Sequence, residues 1–245
     1  MFHAKLKLSI MKEVVDVTSI LVPEAKFTAD ASGIHTKAVD PSRVAMVTID
    51  LGKEAFEEYE ASEVEMGIDL DKLKETIKLG SSDDIITVDL DSEANLLVIK
   101  IGNVTRKMAL IDASSMIDPK VPELDLPARI TLPISEIKKG VTAAKSISES
   151  ISLKITEDGF ELSSRSEGAD QAKLHLPKDA LVDMDVKEKA QSTYTLKQFS
   201  DMINAIKSPN ITIRLGTDYP LDIIFDIAGG MGKGRYLLAP RVDTA

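Results

Sequence analysis

Apolar residues recur along the chain in two periods, and the switches between them mark out its elements. AKLKL, residues 4–8, alternates with period two and leads into SIMKEVVDVTSIL, where Ile10, Val14, Val17 and Leu21 fall at helical spacing. In IDLDKLKETIKLG, Leu70, Leu73 and Ile77 share one helical face and Gly80 is a stop signal. DDIITVDL, NLLVIKI and TRKMALI follow as short strands separated by polar turns. The second half reads alike: strand ARITL, helices ISEIKKGVTAAKSIS and TLKQFSDMINAIK, then strands NITIRL, PLDIIFDI and GRYLLAP. The pattern predicts helices over 9–21, 69–79, 134–147 and 195–207.

The two halves are copies of one apolar skeleton. Gly33 maps to Gly159, Leu70 to Leu196, Leu73 to Phe199, Ile77 to Ile203 and Leu97 to Ile223, each 126 positions on. The expected fold class is α+β: two similar domains, each with two helices packed on antiparallel sheet. The expected division is 1–112 for the first domain, 113–128 for a connecting loop and 129–245 for the second domain. The loop carries Pro119, Pro122 and Pro127, which remove backbone donors and favour an extended surface segment. Its Val121, Leu124 and Leu126 either cap the sheet or belong to a docking groove.

Composition removes several function classes. With no cysteine, disulfides, thiolate metal sites and thiol nucleophiles are excluded, and an intracellular home is expected. MFHAKLKLSIMK offers no signal-peptide core, and no apolar run approaches the ~18 residues of a membrane span, so no membrane partner is expected. His3, His35 and His175 lie far apart and form no ligand pair, so no metal, cofactor or catalytic residue is assigned. Acidic residues number 40 against 30 basic, and a formal charge of −10 argues against a protein that coats itself with nucleic acid.

Three motifs look chemical. GGMGKGR, residues 229–235, suggests a phosphate loop, but Ile227 and Gly234 stand where that loop needs Gly and Ser or Thr. It also leads into a strand-like RYLLAP, so a turn is expected. Asp83 and Asp84 would point to opposite faces of a strand, and Ser163, Ser164 and Ser166 lack a nucleophile elbow. The chain reads as a protein without catalytic activity.

SGIHTKAVDPSRVAMV (32–47), MGIDLDKLKETIKLGSSDDIITV (66–88), LIDASSM (110–116), EDGFELSS (157–164) and YLLAPRVD (236–243), in this order and spacing, resemble the sliding clamps of the proliferating cell nuclear antigen (PCNA) family. The resemblance implies a DNA-clamp fold that assembles as a homotrimeric ring, with helices lining a hole around duplex DNA. A subunit of a hetero-trimeric clamp of the same family is the alternative. It implies no catalysis. The partners it implies are a clamp loader and, through PCNA-interacting peptide motifs, DNA polymerase, flap endonuclease and DNA ligase, in DNA replication and repair.

The resemblance also assigns residues. Lys12, Lys78, Lys139 and Lys197 match DNA-facing basic positions, one per helix, whereas Glu13, Ser19, Glu75, Thr142 and Ser146 stand where eukaryotic relatives are basic. The predicted helices hold nine lysines and seven acids, so a local charge of +2 is expected within an acidic protein. The partner pocket it implies uses Val39, Met46, Val121, Pro122, Pro220, Leu237, Ala239 and Pro240, with backbone from Ala239 to Val242 free to pair with a peptide and Leu237 altering the rim. Ring closure is expected through strands 105–112 and 170–176, with Lys107, Met108 and Leu110 meeting Ala172, Leu174 and Leu176 of the next copy. Glu157 replaces the modification lysine of eukaryotic clamps, and the chain looks archaeal, placing it in the cytoplasm at the nucleoid.

Overall fold

Strands form where the alternation places them because every second residue finds apolar cover; β1 (Phe2–Lys7) buries Phe2, Ala4 and Leu6 and leaves its lysines outward. The computed structural model describes residues 1–241. After β1 come α1 (Leu8–Ser19), β2 (Glu24–Asp30), β3 (Gly33–Val39), β4 (Ala45–Gly52), β5 (Glu58–Ala61), β6 (Val64–Asp69), α2 (Leu70–Ile77), β7 (Ile85–Asp91), β8 (Leu96–Ile101) and β9 (Val104–Ala109). Strands β5-β1-β7-β8-β9 pair antiparallel in that order, and so do β4-β3-β2-β6.

The second half repeats this with β10 (Ala128–Pro133), α3 (Ile134–Ala144), β11 (Ser150–Thr156), β12 (Gly159–Arg165), β13 (Gln171–Pro177), β14 (Asp183–Val186), β15 (Ala190–Thr195), α4 (Leu196–Ala205), β16 (Asn210–Leu215), β17 (Leu221–Ile227) and β18 (Gly232–Leu238). Their orders, β14-β10-β16-β17-β18 and β13-β12-β11-β15, reproduce those of the first half strand for strand. Gly33 and Gly159 show why the repeat is exact there. Both have φ near +150°, and a Cβ on either would strike a carbonyl oxygen of the neighbouring strand, Leu51 or Leu176.

Each half buries the helical faces that the spacing marks. Ile10, Val14 and Val17 of α1 and Leu70, Leu73 and Ile77 of α2 are buried, and α1 packs on α2 as α3 packs on α4. Thr18 and Thr76 are buried on these helices because their hydroxyls donate back to the carbonyls of Val14 and Lys72. Asp69, expected inside a helix, instead caps α2 by accepting from the Lys72 N–H at 2.9 Å. The helices are shorter than expected, and Lys78 and Lys145 stand at C-caps.

Two compact units result: 1–120 with 226–234, and 121–225 with 235–245. The sequence placed all of 129–245 in the second domain. The turn of the last hairpin belongs with the first unit because Gly52 N–H donates to Met231 O at 3.0 Å and Ala228 N–H to Glu13 Oε2 at 3.1 Å. Past the 3-10 turn Ala113–Ser115 the connector forms neither helix nor strand until β10, which already includes Ala128. It is tied down by Lys37 to Asp118 at 2.9 Å in the first unit and by Arg214 Nη2 to the Leu124 carbonyl at 2.9 Å in the second. Leu126 is a cap, buried over Gly216.

At the β5-β1-β7 face, His3 Nδ1 lies 2.6 Å from Asp89 and Nε2 3.4 Å from Glu58. The Asp89 hydrogen bond holds the imidazolium above its ordinary pKa of 6.5, against a smaller cost of burial. Because the folded value is raised, the stabilisation is complete below the unfolded pKa and is lost as pH rises through the folded one. We expect an NMR titration of His3 with a midpoint above 6.5 that returns toward 6.5 in Asp89→Asn. With both side chains still about a third exposed to water, the pair should contribute less than about 1 kcal/mol.

Candidate functional site

All four lysines assigned to DNA are exposed, and every one is held by a carboxylate on or at the end of its own helix. Lys12 Nζ lies 2.7 Å from Asp16, Lys78 2.6 Å from Glu75, Lys139 2.7 Å from Glu136 and Lys197 2.7 Å from Asp201. These are i,i+3 and i,i+4 neighbours, the spacing at which helical side chains meet. The hydrogen bonds to Glu75 and Asp201 raise the pKa of Lys78 and Lys197.

The expected +2 is corrected by the helix ends. Within the four helices stand six lysines and six carboxylates, so the helices are neutral as folded. The surplus sits at their ends, on caps such as Lys78 and Lys145, where the helix dipole favours cations. A groove of about 290 Å³ between α1 and α2 is lined by Lys12, Asp16, Lys74 and Lys78. The second unit has a groove of about 580 Å³ lined by Lys145, Glu149, Lys197 and Asp201. Lys74 and Lys145 carry no ion pair among the described residues. Sequence reasoning counted Lys74, Lys145 and the four carboxylates only toward the helix charge and paired none of the carboxylates with its lysine, although the spacing was visible. Lys138 donates to the Ile206 carbonyl at 3.2 Å, and burial, with Lys207 nearby, lowers its pKa.

The residues assigned to partner binding fall in both units. In the first, Val39 and Met46 are direct cross-strand partners on β3 and β4, both half-buried. The turn joining them is locked by Asp40, whose Oδ1 accepts from the N–H groups of Val44 and Ala45 at 2.8 and 2.7 Å. In the second, Val121, Pro220, Ala239 and Pro240 are half-buried and Pro122 is exposed. Leu237 is 5% exposed, on the β18 face it shares with Lys233 and Arg235. The tail is pinned by Arg241 N–H to the Thr193 carbonyl at 2.7 Å, and Val242 lies outside the described residues.

β9 and β13 each end a strand order, so each presents unpaired backbone groups along one side. Lys107 is exposed and Ala172 and Leu174 are half-buried, while Met108 and Leu176 are buried within their own chain. Leu110 continues the β8–β9 register, its N–H donating to Asn95 O at 3.1 Å, and Ile111 then bridges to Gly67. β9 itself spans Val104–Ala109, against the 105–112 expected. Among the described residues no group of three or more His, Asp or Glu could hold a metal, and no helix is long and apolar enough to cross a membrane.

A strand-for-strand duplication, with two helices on antiparallel sheet in each copy and a free edge in each, defines the class as a two-domain DNA-clamp fold. The PCNA N-terminal domain model matches residues 1–118 and the C-terminal domain model residues 120–241. The chain belongs to the proliferating cell nuclear antigen family. Proteins named DNA polymerase sliding clamp from Methanococcoides burtonii and Methanosarcina barkeri are 36% and 34% identical to it, each over all of both chains. Among solved structures, Archaeoglobus fulgidus PCNA with the C-terminal region of FEN-1 bound superposes with a TM-score of 0.95 at 32% identity, covering both chains completely. PCNA from Thermococcus kodakaraensis gives 0.91 at 26% identity, covering 98% of this chain and all of that one.

Proposed function

We propose that three copies of this chain close a ring by pairing β9 of one with β13 of the next, and that the ring encloses duplex DNA as a sliding clamp for DNA polymerase. The observation that carries the reading is that β9 in the first unit and β13 in the second each end a strand order with edges of similar length, six and seven residues. An uncovered edge invites association, and a head-to-tail pair of edges closes into a ring when the rotation permits. Purified protein should therefore sediment near 80 kDa, about three times 26.6 kDa. A monomer at micromolar concentration would overturn the homotrimer, and a trimer formed only with a second clamp chain would favour the hetero-trimeric alternative. The clamp would work inside the cell at the nucleoid, with a clamp loader placing it on DNA and without chemistry of its own.

Partners would be tethered by PCNA-interacting peptides; the similar A. fulgidus PCNA has the C-terminal region of FEN-1 bound. DNA polymerase, flap endonuclease and DNA ligase are the classes expected. The assigned residues Met46, Val39, Val121 and Pro240 offer apolar surface to a peptide's aliphatic and aromatic anchors, and backbone near Ala239 offers strand pairing. Met46→Ala removes several methylene-sized groups worth ~0.8 kcal/mol each, so peptide affinity should fall by about 1 to 3 kcal/mol. Calorimetric titration of such a peptide into wild type, Met46→Ala and Lys139→Ala checks this. Lys139→Ala should bind like wild type, and equal weakening in both variants would remove the assignment.

A further inference from the structure

The carboxylates that pair three of the four assigned lysines stand where the helix dipole works against them. Asp16, Glu75 and Asp201 stand in the C-terminal halves of α1, α2 and α4, where the helix dipole disfavours an anion. Lys12 with Asp16 and Lys197 with Asp201 also run lysine before acid, the weaker orientation for an i,i+4 pair. Only Glu136, in the first turn of α3, is placed where the helix gains from it. Yet the four cations are 52 to 84% exposed and otherwise free to reach a phosphate.

We propose that Asp16, Glu75, Glu136 and Asp201 limit the clamp's grip on DNA, each occupying the lysine of its helix that matches a DNA-facing position of the family. This rests on the clamp reading above. A lysine that already holds a fixed carboxylate releases little when it meets DNA, because its counterion is part of the protein and stays beside the phosphate, repelling it. Exposed pairs exchange readily, so the lysines still make passing contacts while duplex moves by. Four short-range neutralisations, one per helix, thus hold affinity low where overall acidity alone acts only within a Debye length.

The test is the quadruple variant Asp16→Asn, Glu75→Gln, Glu136→Gln, Asp201→Asn, measured with a fluorescent linear duplex of about 30 base pairs in low salt, without a loader. Affinity should rise on the order of tenfold or more, and the plot of log affinity against log salt should steepen, as newly available phosphate contacts release counterions. Adding Lys12→Ala, Lys78→Ala, Lys139→Ala and Lys197→Ala to that variant should abolish the gain. A control that neutralises four exposed acids outside the helices, Glu54→Gln, Glu63→Gln, Asp179→Asn and Glu188→Gln, raises the net charge equally and should gain far less. Should the quadruple variant misfold, judged by sedimentation and melting, the half-variants Asp16→Asn/Asp201→Asn and Glu75→Gln/Glu136→Gln decide, each gaining part of the effect. No gain, or an equal gain in the control, overturns the proposal while leaving the clamp reading intact if wild type is still retained on closed circles. Loss of wild type from closed circles as fast as from linear DNA overturns both.

Discussion

Replacing Asp222 with alanine lowers the stability of the second unit by about 3 kcal/mol, the low end of the cost of breaking a buried ion pair from one side. Asp222 is wholly buried on β17, where its carboxylate takes Arg235 Nε at 2.8 Å, Arg235 Nη2 at 3.1 Å and Arg214 Nη1 at 3.2 Å. Both guanidiniums are 23 to 29% exposed, so water relieves part of their loss, which places the figure low in the range. Arg214 also holds the Leu124 carbonyl, so the same change should free the connector. Urea denaturation reads the first effect. Faster hydrogen exchange over residues 121–126, with α1 unchanged, reads the second. A shift below about 1 kcal/mol would mean that the two arginines are satisfied without Asp222.

Asp222 also shows where sequence reading stops. The segment PLDIIFDI was legible as a strand, but nothing in its pattern singled out Asp222. Its partners lie on two different strands, Arg214 directly opposite on β16 and Arg235 on β18, so only the register of three strands brings them together. The duplication, by contrast, was legible because it is written in apolar positions and in Gly33 and Gly159, which burial and backbone geometry constrain locally. The faces of α1 and α2 were legible for the same reason. Helix ends were not: Asp69 left α2 to cap it, Lys78 and Lys145 fell at C-caps, and a two-charge expectation became zero. Ile111 follows directly on β9, yet it bridges to Gly67, a contact that no local pattern announces. The resemblance drew attention to single lysines, and their carboxylates one turn away changed what those lysines offer.

Enclosure, not charge, should hold this protein on DNA, and the expected difference between closed and open DNA is large. Helices with as many carboxylates as lysines displace few counterions, so affinity for an open duplex at physiological salt should be no tighter than the ~10⁻⁴ to 10⁻⁶ M of non-specific binding. A closed ring around a closed circle, however, can leave only by opening. The decisive measurement is retention by gel filtration of wild-type clamp placed on a nicked circular plasmid by a clamp loader, before and after a single restriction cut. The clamp should co-elute with the circle and be lost from the linear product by tenfold or more. Equal retention on both forms would contradict enclosure, because binding would then depend on contacts and not on a ring.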